Sequence, residues 1–539
     1  MHPKFHSEIT KRSVRSWKKI AAFICIYLWL IFLGSCTSKP SDLRTLVPAE
    51  SLIYLETNDL AAAIQPILDS DAFKQAAKTT PDLSALKGIQ MAIAVTGFET
   101  SEERLTDENS VGRVQPRFVA VADTHAWNYQ AVGFAEKKLG GFVADVYRSE
   151  PQLEKTEKHG GKYFTWTAKD GRKAFALVID SLIYFGNDAT AIEKCVAVKK
   201  GESDSIAKTG KLPNRVPESL ASGYVSTDGV AQIAALAGLS FATQASDDEE
   251  VQSAVAGVLP KLIRGTVTDI SWTATRGAKG YEDKFAFGGT PDTAPVMSET
   301  FAPASQVNTE LFQFVTNKAS AVTLYNLNKP NVAWRGLIST TSSKVDAFGA
   351  KMIGEFSNAF AEPYAISDAE LFLSGVGPNI VSIRTDAEGD QPALIANITN
   401  AEAVRRALSK DLKPDKAASD QLGLEVLKDE DSMAVFAGST IIAGDSDAVT
   451  ACLQSKSSGS NLSPATIQLF RPGNSAASLS FENEQALQIA DLLSEKKSDA
   501  KPVNIMSITE TRFNRWGIER RTVSDLGFIG WLTVQTTAE

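Results

Sequence analysis

Short apolar runs followed by amphipathic stretches recur along the chain, and they predict repeated strand-to-helix units. In the first unit Leu60, Ile64 and Ile67 recur with the 3.6-residue period of a helix that packs one face against a core. Asn or Asp stands between run and helix, where its side chain accepts hydrogen bonds from free N–H groups of the first turn. Four units fit this description: residues 51–57 with Asn58, 223–225 with Asp228, 321–325 with Asn328, and 477–481 with Asn483.

Two of these units precede a pair of apolar stretches that predicts a β-hairpin. Residues 270–275 and 285–287 flank a turn at 277–280, and residues 505–511 and 518–523 flank a turn near Trp516 and Gly517. Polar stretches at 99–113, 200–214 and 455–463 predict surface loops. A segment rich in Pro, Thr and Ala from Gly289 to Ser305 predicts a linker between two halves of the chain.

Internal similarity predicts that the two halves are copies of one unit. Residues 115–124 resemble 391–400, and residues 182–188 resemble 440–447, in the same order along the chain. Each of the later blocks leads into a helix-like stretch with a cysteine, Cys195 or Cys452. The predicted fold is therefore α+β and internally duplicated, with antiparallel sheets and helices packed on one face.

The predicted boundaries follow from these patterns. They are 1–35 for a signal peptide, 36–45 for a tether, 46–210 and 211–288 for the two lobes of the first half, 289–306 for the linker, and 307–472 and 473–539 for the lobes of the second half.

The amino terminus carries the features of an export signal. Residues 1–19 have a net charge of +5, and residues 20–33 are almost entirely apolar, which is too short a run to span a bilayer as a helix. Leu33-Gly34-Ser35-Cys36 follows and resembles the lipobox of bacterial lipoproteins. That resemblance implies cleavage before Cys36 and acylation of its sulfur, so that the body is anchored to a membrane of the cell envelope. The alternative is an uncleaved signal anchor with an incidental cysteine.

In enterobacteria the residue after this cysteine influences sorting, and Thr37 in place of Asp favours the outer membrane. The body also resembles an exported bacterial family built on a domain of unknown function. The resemblance rests on the opening Pro48-Ala49-Glu50-Ser51-Leu52-Ile53-Tyr54 and on a glycine–acid–helix step, which occurs at 186–192 and again at 444–449. Glu50 replaces the Asp of that family, the second half lacks the opening Pro-Ala, and the resemblance implies no activity.

Charge argues against nucleic acid as a partner. The chain carries a formal net charge of −9, which becomes −14 without residues 1–19, whereas phosphate binding needs a basic face. Two cysteines remain as thiols in the mature chain, which is too few for a disulfide framework.

Candidate chemistry is sparse. The mature chain has two histidines, His125 and His159, which form either a metal or base pair or two surface polar residues; no zinc, phosphate-loop or nucleophile-elbow motif is present, and no cofactor is predicted. The acidic stretch 247–250 is interpreted as a helix start, and 386–390 as a hairpin turn; the alternative for 386–390 is a Ca²⁺ site, although it lacks the usual twelve-residue ligand spacing. Trp516 with Arg515 is a possible interaction surface, since exposed Trp and Arg are typical binding hot spots; the alternative is that Trp516 packs on its own sheet.

Three hypotheses for function remain. The leading one is a non-catalytic envelope lipoprotein that binds or scaffolds another envelope protein or a cell-wall component. The second is a hydrolase that uses carboxylates, which predicts two facing carboxylates in a cleft. The third is a carrier of a hydrophobic ligand, which predicts an apolar cavity of roughly 300–1,000 Å³.

Overall fold

The strands of the protein pair into one antiparallel sheet. A computed structural model describes residues 42–537, except for 78, 105–109, 246–248, 387–390, 460, 483–484 and 494–504. The first ten strands are β1 (Ile53–Thr57), β2 (Gln90–Arg104), β3 (Ser110–Asp123), β4 (Gln152–Lys158), β5 (Gly161–Thr167), β6 (Lys173–Ile179), β7 (Leu182–Gly186), β8 (Ser219–Ser226), β9 (Val267–Gly277) and β10 (Gly280–Gly289). The next ten are β11 (Ala321–Asn326), β12 (Val376–Arg384), β13 (Pro392–Ile398), β14 (Lys413–Pro414), β15 (Glu425–Lys428), β16 (Ser432–Ala437), β17 (Thr440–Asp445), β18 (Ala476–Glu482), β19 (Ile505–Asn514) and β20 (Gly517–Ser524).

The order of the strands is the same in both halves of the sheet. In the first half it is β4-β5-β6-β7-β3-β2-β1-β8-β9-β10. In the second half it is β14-β15-β16-β17-β13-β12-β11-β18-β19-β20. β10 pairs with β20, so the two halves share one sheet. In this central ladder Lys284 pairs with Arg521, and each is the fourth residue after the glycine that opens its strand.

Those two glycines, Gly280 and Gly517, allow β10 and β20 to approach closely. Their φ angles are +147° and +144°, a region that side chains rarely adopt. A Cβ on Gly280 would collide with the carbonyl oxygens of Ser524 and Asp525, and a Cβ on Gly517 would collide with that of Phe287. The junction between the halves therefore requires glycine at both hairpin turns.

Helices connect the strands and cover the sheet. In the first half they are α1 (Leu60–Asp69), α2 (Asp71–Ala76), α3 (Asn128–Phe134), α4 (Gly140–Tyr147), α5 (Ala189–Lys200), α6 (Thr227–Ala245), α7 (Glu249–Thr266) and α8 (Ala294–Thr300). In the second half they are α9 (Pro330–Ser342), α10 (Ala347–Ser357), α11 (Ala369–Gly375), α12 (Ala401–Ala407), α13 (Lys416–Leu422), α14 (Ser446–Ser458), α15 (Pro464–Ile467), α16 (Gln485–Leu493) and α17 (Gly527–Thr537). A π-helical turn, Ala135–Leu139, joins α3 to α4, and short 3₁₀ helices lie at Leu43–Thr45, Ser84–Leu86, Ile206–Thr209, Thr309–Phe314, Asn358–Phe360 and Glu362–Tyr364.

Helices pack on both faces of the sheet, so the prediction of helices on one face is wrong. Side chains alternate along a strand, which places Met91 and Ala92 of β2 on opposite faces. Met91 belongs to the core under α1 and α2, whereas Ala92 belongs to the core under α5 and the 3₁₀ helix Leu43–Thr45. The predicted α+β class and antiparallel pairing are confirmed, but the structure has one sheet where several were expected.

The last helix of each half crosses to the other half. α8 follows β10 and packs on β19, β20 and α9, while α17 follows β20 and packs on β10 and α1. The rings of Phe301, just after α8, and Phe513 of β19 lie 4.4 Å apart. At the other crossing, Phe528 of α17 packs edge-on against Trp272 and Phe285. Each half therefore completes the core of the other.

The two outermost strands differ in length but are both unfavourable for further pairing. β4 has all seven of its residues exposed, four of them Glu or Lys, while β14 consists of Lys413 and Pro414 alone. Charged residues and proline on an edge strand discourage the addition of another strand.

Local expectations were confirmed where the pattern was strongest. The two predicted hairpins are β9–β10 and β19–β20. The predicted loop at 99–113 is wrong, because β2 and β3 continue through most of it as a long hairpin made largely of polar residues. Two predicted caps are also wrong: Asp59 rather than Asn58 caps α1, and Lys329 rather than Asn328 precedes α9. Asp228 lies within the first turn of α6, and Asn483 lies outside the described residues.

Candidate functional site

A buried ionic cluster fixes the first described residues of the chain to the sheet. Glu56, near the end of β1, is only 7% exposed. Its Oε1 accepts a hydrogen bond of 2.6 Å from Nε of Arg44, and its Oε2 accepts one of 3.1 Å from Nη2 of Arg215. The same Nη2 also donates to Asp42 over 2.7 Å. Arg44 and Arg215 thus join the amino-terminal segment, β1 and the segment before β8.

Two hydroxyl groups complete the coordination of this carboxylate. Tyr54 donates to Oε2 over 2.9 Å, and Ser222 donates to Oε1 over 3.0 Å. Burial alone would raise the pKa of Glu56, but the hydrogen bonds and charges of Arg44 and Arg215 outweigh it and lower the pKa. Burial, with the neighbouring carboxylate, raises the pKa of Tyr54 well above its usual range. The carboxylate of Glu56 is therefore ionised, and both of its oxygens already accept hydrogen bonds. Such a group is better suited to holding the amino-terminal segment on the sheet than to transferring protons.

The corresponding place in the second half is apolar. The two halves can be aligned through their strand pairing. Gly223 pairs with Trp272 of β9, and Ser478 pairs with Thr509 of β19. Trp272 and Thr509 each lie five residues before the last residue of their strand, so they correspond. Since Leu55 pairs with Gly223 and Thr323 with Ser478, Glu56 takes the place of Leu324. By the same register Ser222 corresponds to Ala477 and Tyr54 to Val322, and Phe312 lies as far before Leu324 as Arg44 before Glu56. Phe312, Leu324 and Ala477 are all buried in one apolar core.

The first half therefore has an ionic cluster at a place where the second half has apolar side chains. The second half shows that apolar packing is enough to build this part of the fold. Replacing a buried ion pair by well-packed apolar residues is often neutral or stabilising. The fold alone does not require this cluster, which marks the place where the amino-terminal segment meets the body.

A groove lies beside this attachment point. It has a volume of about 420 Å³ and is lined by Thr45 and by parts of the segment from the end of α5 to Lys208. Lys199, Lys200 and Lys208 line it, and all three are exposed. Lys208 forms an ion pair of 3.0 Å with Asp204, whose side chain is itself largely exposed. The groove is open, and every charged residue that lines it is a lysine, in contrast to the acidic chain as a whole.

A second cavity, of about 250 Å³, is a polar cleft where α1 and α2 meet the β9–β10 turn. Its lining includes three carboxylates, Asp69, Asp71 and Asp525, and two cations, Arg276 and Lys279. Asp69 forms an ion pair with Arg276. Burial, with a smaller contribution from Asp71, raises the pKa of Asp525, while Lys279 opposes it. This cleft brings together carboxylates in the way that the hydrolase hypothesis requires, but it is smaller than a typical ligand pocket.

The residues proposed from the sequence fall in different places. Cys36 lies outside the described residues. Trp516 and Arg515 form the β19–β20 turn, and Trp516 is 46% exposed. Its carbonyl oxygen accepts a hydrogen bond of 2.8 Å from the amide of Gly289, which ties the turn to β10. Trp516 thus presents a large apolar surface at the junction of the halves, some distance along the chain from the ionic cluster.

The histidines and cysteines occupy separate positions. His125 has a left-handed backbone (φ +50°) after β3, with Nδ1 3.4 Å from Oδ1 of Asp123, and His159 occupies the β4–β5 turn. Within the described residues no group of three His, Cys, Asp or Glu side chains is placed to hold a metal ion. Cys195 in α5 and Cys452 in α14 are both buried and unbridged, and burial raises the pKa of each thiol to about 12. Of the acidic stretches, only Asp386, Glu249 and Glu250 are described.

Sequence reasoning missed the ionic cluster. The available signal was Glu56 itself, a charge directly after the apolar run Leu52–Leu55 at a position that the alternation assigns to a buried face. Its partner Arg215 is 159 residues away, and no local pattern connects the two.

In comparisons with known proteins, no family model, no curated protein and no solved structure matches the chain. The resemblance of the body to an exported family therefore stays a prediction. None of the helices in the described part of the chain has the length and apolar character needed to cross a membrane.

Proposed function

We propose that the chain is an exported envelope lipoprotein, anchored by lipid on Cys36, whose body binds or scaffolds another envelope protein or a cell-wall component without catalysis. The lipobox-like Leu33-Gly34-Ser35-Cys36 supports the anchor. The observation that carries the proposal is the Arg44–Glu56–Arg215 cluster. It fastens the chain to the sheet eight residues after Cys36, where a tether would transmit load from membrane to body.

A binding role is supported by the aromatic side chains that the surface exposes. Trp516 at the junction and Phe360 in the second half have 46% and 72% of their surface exposed. Exposed aromatic residues beside arginine are typical of protein-binding hot spots, and Arg515 adjoins Trp516. The acidic mature chain disfavours nucleic acid as the partner.

We also propose that the two halves arose by internal duplication. The identical order of ten strands supports this, as do matching details that the fold does not demand. Gln90 donates to Asn58 over 3.4 Å, and Asn379 donates to Asn326 over 2.7 Å, at corresponding positions. Cys195 and Cys452 likewise occupy corresponding helices. An experimental structure in which the two sets of ten strands fail to superpose would refute the duplication.

The polar cleft is the observation that favours the alternative of a carboxylate-based hydrolase. There burial, together with the charge of Asp71, raises the pKa of Asp525. The carrier alternative has less support, because neither cavity described above is an enclosed apolar one.

Two experiments test the proposal. Labelling with radioactive fatty acid should mark the wild-type chain and leave Cys36→Ser unmarked, and equal labelling of both would overturn the lipid anchor. Purified lipoprotein should then cosediment with envelope fractions or peptidoglycan without releasing soluble fragments. Release of fragments that is abolished by Asp71→Asn or Asp525→Asn, and kept by the control Asp170→Asn in an exposed turn, would move the hydrolase to first place.

A further inference from the structure

The position of the tether determines which part of the body can approach the membrane. If Cys36 carries the lipid, as proposed above, only residues 37–41 separate it from Asp42. A fully extended chain of this length spans at most about 20 Å. The surface around Asp42 must therefore lie within about 20 Å of the lipid headgroups.

Asp42 lies at one particular edge of the sheet in the first half. Through Arg215 it is tied to the start of β8 and to Glu56 near the end of β1. We call the edge at which β1 ends, β3 ends and β8 begins the tether edge. Pairing of Thr57 with Met91, and of Gln90 with Asp123, places the ends of β1 and β3 at this edge, on either side of the start of β2.

The surface beside Asp42 has a charge opposite to that of the chain. α5 begins after β7 at the far edge, and its twelve residues rise about 18 Å back towards the tether edge. The segment from its end to β8 carries five basic residues against three acidic ones: Lys199, Lys200, Lys208, Lys211 and Arg215 against Glu202, Asp204 and Glu218. The corresponding stretch of the second half, residues 456–472, has only Lys456 and Arg471 and no acidic residue. The four lysines of this segment of the first half are all exposed.

Exposed aromatic residues lie at the same edge. Trp127 and Tyr129 follow β3 directly and are 69% and 72% exposed. Asn128 between them donates to the carbonyl oxygen of Asp180 in the β6–β7 turn, which holds this loop at the tether edge. Trp and Tyr with exposed rings are typical of the membrane–water interface, where basic side chains meet the headgroups.

Projections from the opposite edge are acidic. Beyond the pairing of Val95 with Phe118, β2 and β3 pair only with each other in the described part of the chain, so they form an arm that leaves the sheet where β1 begins. The hairpin of α6 and α7 leaves from the same edge, between β8 and β9. In the sequence, residues 99–117 carry five acidic and three basic residues, and residues 227–266 carry five acidic and two basic ones. Anionic headgroups would repel this edge and attract the tether edge.

We propose that the tether edge of the first half is a membrane-docking surface for anionic lipid headgroups, with Lys199, Lys200, Lys208 and Lys211 in contact with them and Trp127 and Tyr129 at the interface. The arm and the α6–α7 hairpin then point away from the bilayer. The lipid anchor brings the body to the membrane, and this surface fixes its orientation.

The test uses the mature lipoprotein reconstituted in vesicles of phosphatidylcholine, alone or mixed with phosphatidylglycerol. A membrane-impermeant amine reagent modifies exposed lysines, and peptide mass spectrometry reports each site. In the anionic vesicles we expect several-fold lower modification of Lys199, Lys200, Lys208 and Lys211, reversed by high salt, with Lys416 of the second half as the unaffected control. Equal modification in both vesicle types would overturn the proposal.

Variants make the test specific to this surface. Lys199→Glu/Lys200→Glu should restore modification of Lys208 and Lys211 in anionic vesicles, whereas Lys416→Glu should not. Trp127→Phe should reduce quenching of tryptophan fluorescence by brominated lipids. Protection by soluble glycerol phosphate in neutral vesicles would indicate a small-anion site and would also overturn membrane docking. Failure of the lipid anchor is recognised separately, since the chain would then carry no fatty acid and would not reconstitute.

Discussion

Glu56 and Leu324 hold the same place in two strands with the same neighbours, yet one is a carboxylate bound by two arginines and the other is part of an apolar core. The second half thus shows how the same place in the fold is packed with apolar residues instead of the ionic cluster. That comparison allows the energetic role of the cluster to be separated from its role in attachment.

Removing one partner of the cluster should cost more than removing all of it. Glu56→Leu leaves Arg44 without its carboxylate and should lower the free energy of unfolding by about 3–5 kcal/mol. The combination Arg44→Phe/Tyr54→Phe/Glu56→Leu/Ser222→Ala makes the site apolar, as it is in the second half, and should recover most of this loss. Urea denaturation measures both.

The matched control is Glu425→Leu, which breaks a pair with Arg405 in which both side chains are nearly half exposed. Its effect should stay within about 1 kcal/mol. A combined variant no more stable than Glu56→Leu would contradict the inference that hydrocarbon can replace the cluster.

The cluster should also make stability depend on pH. The pKa of Glu56 is lowered in the folded protein relative to an unfolded value of about 4.3. Its contribution is therefore fully present above that unfolded value and is lost as the pH falls through the folded pKa. Between neutral pH and about pH 3, the wild type should lose stability relative to the combined variant. Parallel stability curves for the two proteins would count against this explanation.

Asp283 should hold the carboxy-terminal helix against the first half. It is buried, and its two oxygens accept hydrogen bonds of 2.8 Å each, from the indole N–H of Trp272 and from the amide of Phe528 in α17. Asp283→Leu leaves both donors unpaired, at about 1–3 kcal/mol each. Asp283→Asn keeps one acceptor and should cost less.

Hydrogen exchange of α17 provides the specific readout for this contact. Faster exchange at Phe528 in Asp283→Leu is expected, with exchange in α14 of the second half as the internal control. Unchanged protection of α17 would show that the aromatic packing of Phe528 suffices without Asp283.

The thiols of the mature protein should be unreactive while it is folded. Burial raises the pKa of Cys195 and Cys452 to about 12, so neither forms the reactive thiolate at pH 8. If the chain is processed and acylated as proposed, an Ellman titration of the native protein should find no fast-reacting thiol, and it should find two after denaturation. A third thiol that reacts at once would mean that Cys36 is not acylated.

The junction of the halves should not tolerate a side chain at Gly517. Gly517→Ala places a Cβ against the carbonyl oxygen of Phe287 and should cost about 2 kcal/mol or more. Gly473→Ala is the matched control, because Gly473 also has a positive φ but open space around its Cβ position. Equal losses for the two variants would show that backbone strain alone, and not the close approach of β10, explains the requirement.

Local patterns predicted much of the fold but not its assembly. The hairpins β9–β10 and β19–β20 were predictable because each is encoded within about two dozen consecutive residues. The pairing of β10 with β20 joins residues more than two hundred positions apart, and no local sequence pattern predicts it. The polar β2–β3 arm was mistaken for a loop because strands are recognised in a sequence by alternating apolar residues, which this polar stretch lacks.

The candidate site was less predictable still. Glu56 was visible as a charge in an apolar strand, but its meaning depends on Arg44 and Arg215, which approach from different parts of the chain. The proposed docking surface was equally hard to predict, because its lysines become meaningful only through their position beside the proposed tether.

A single sheet of twenty strands with two unpaired outermost strands could in principle grow into a fibril by adding strands from other molecules. Growth would require a neighbouring molecule to pair with β4 or β14. β4 presents Glu154, Lys155, Glu157 and Lys158 in succession, and β14 ends at Pro414, which has no N–H to donate. Crowded side by side on a membrane, such molecules would meet edge to edge at high local concentration. If the chain is tethered as proposed, these two strands disfavour pairing between neighbouring molecules and so disfavour polymerisation.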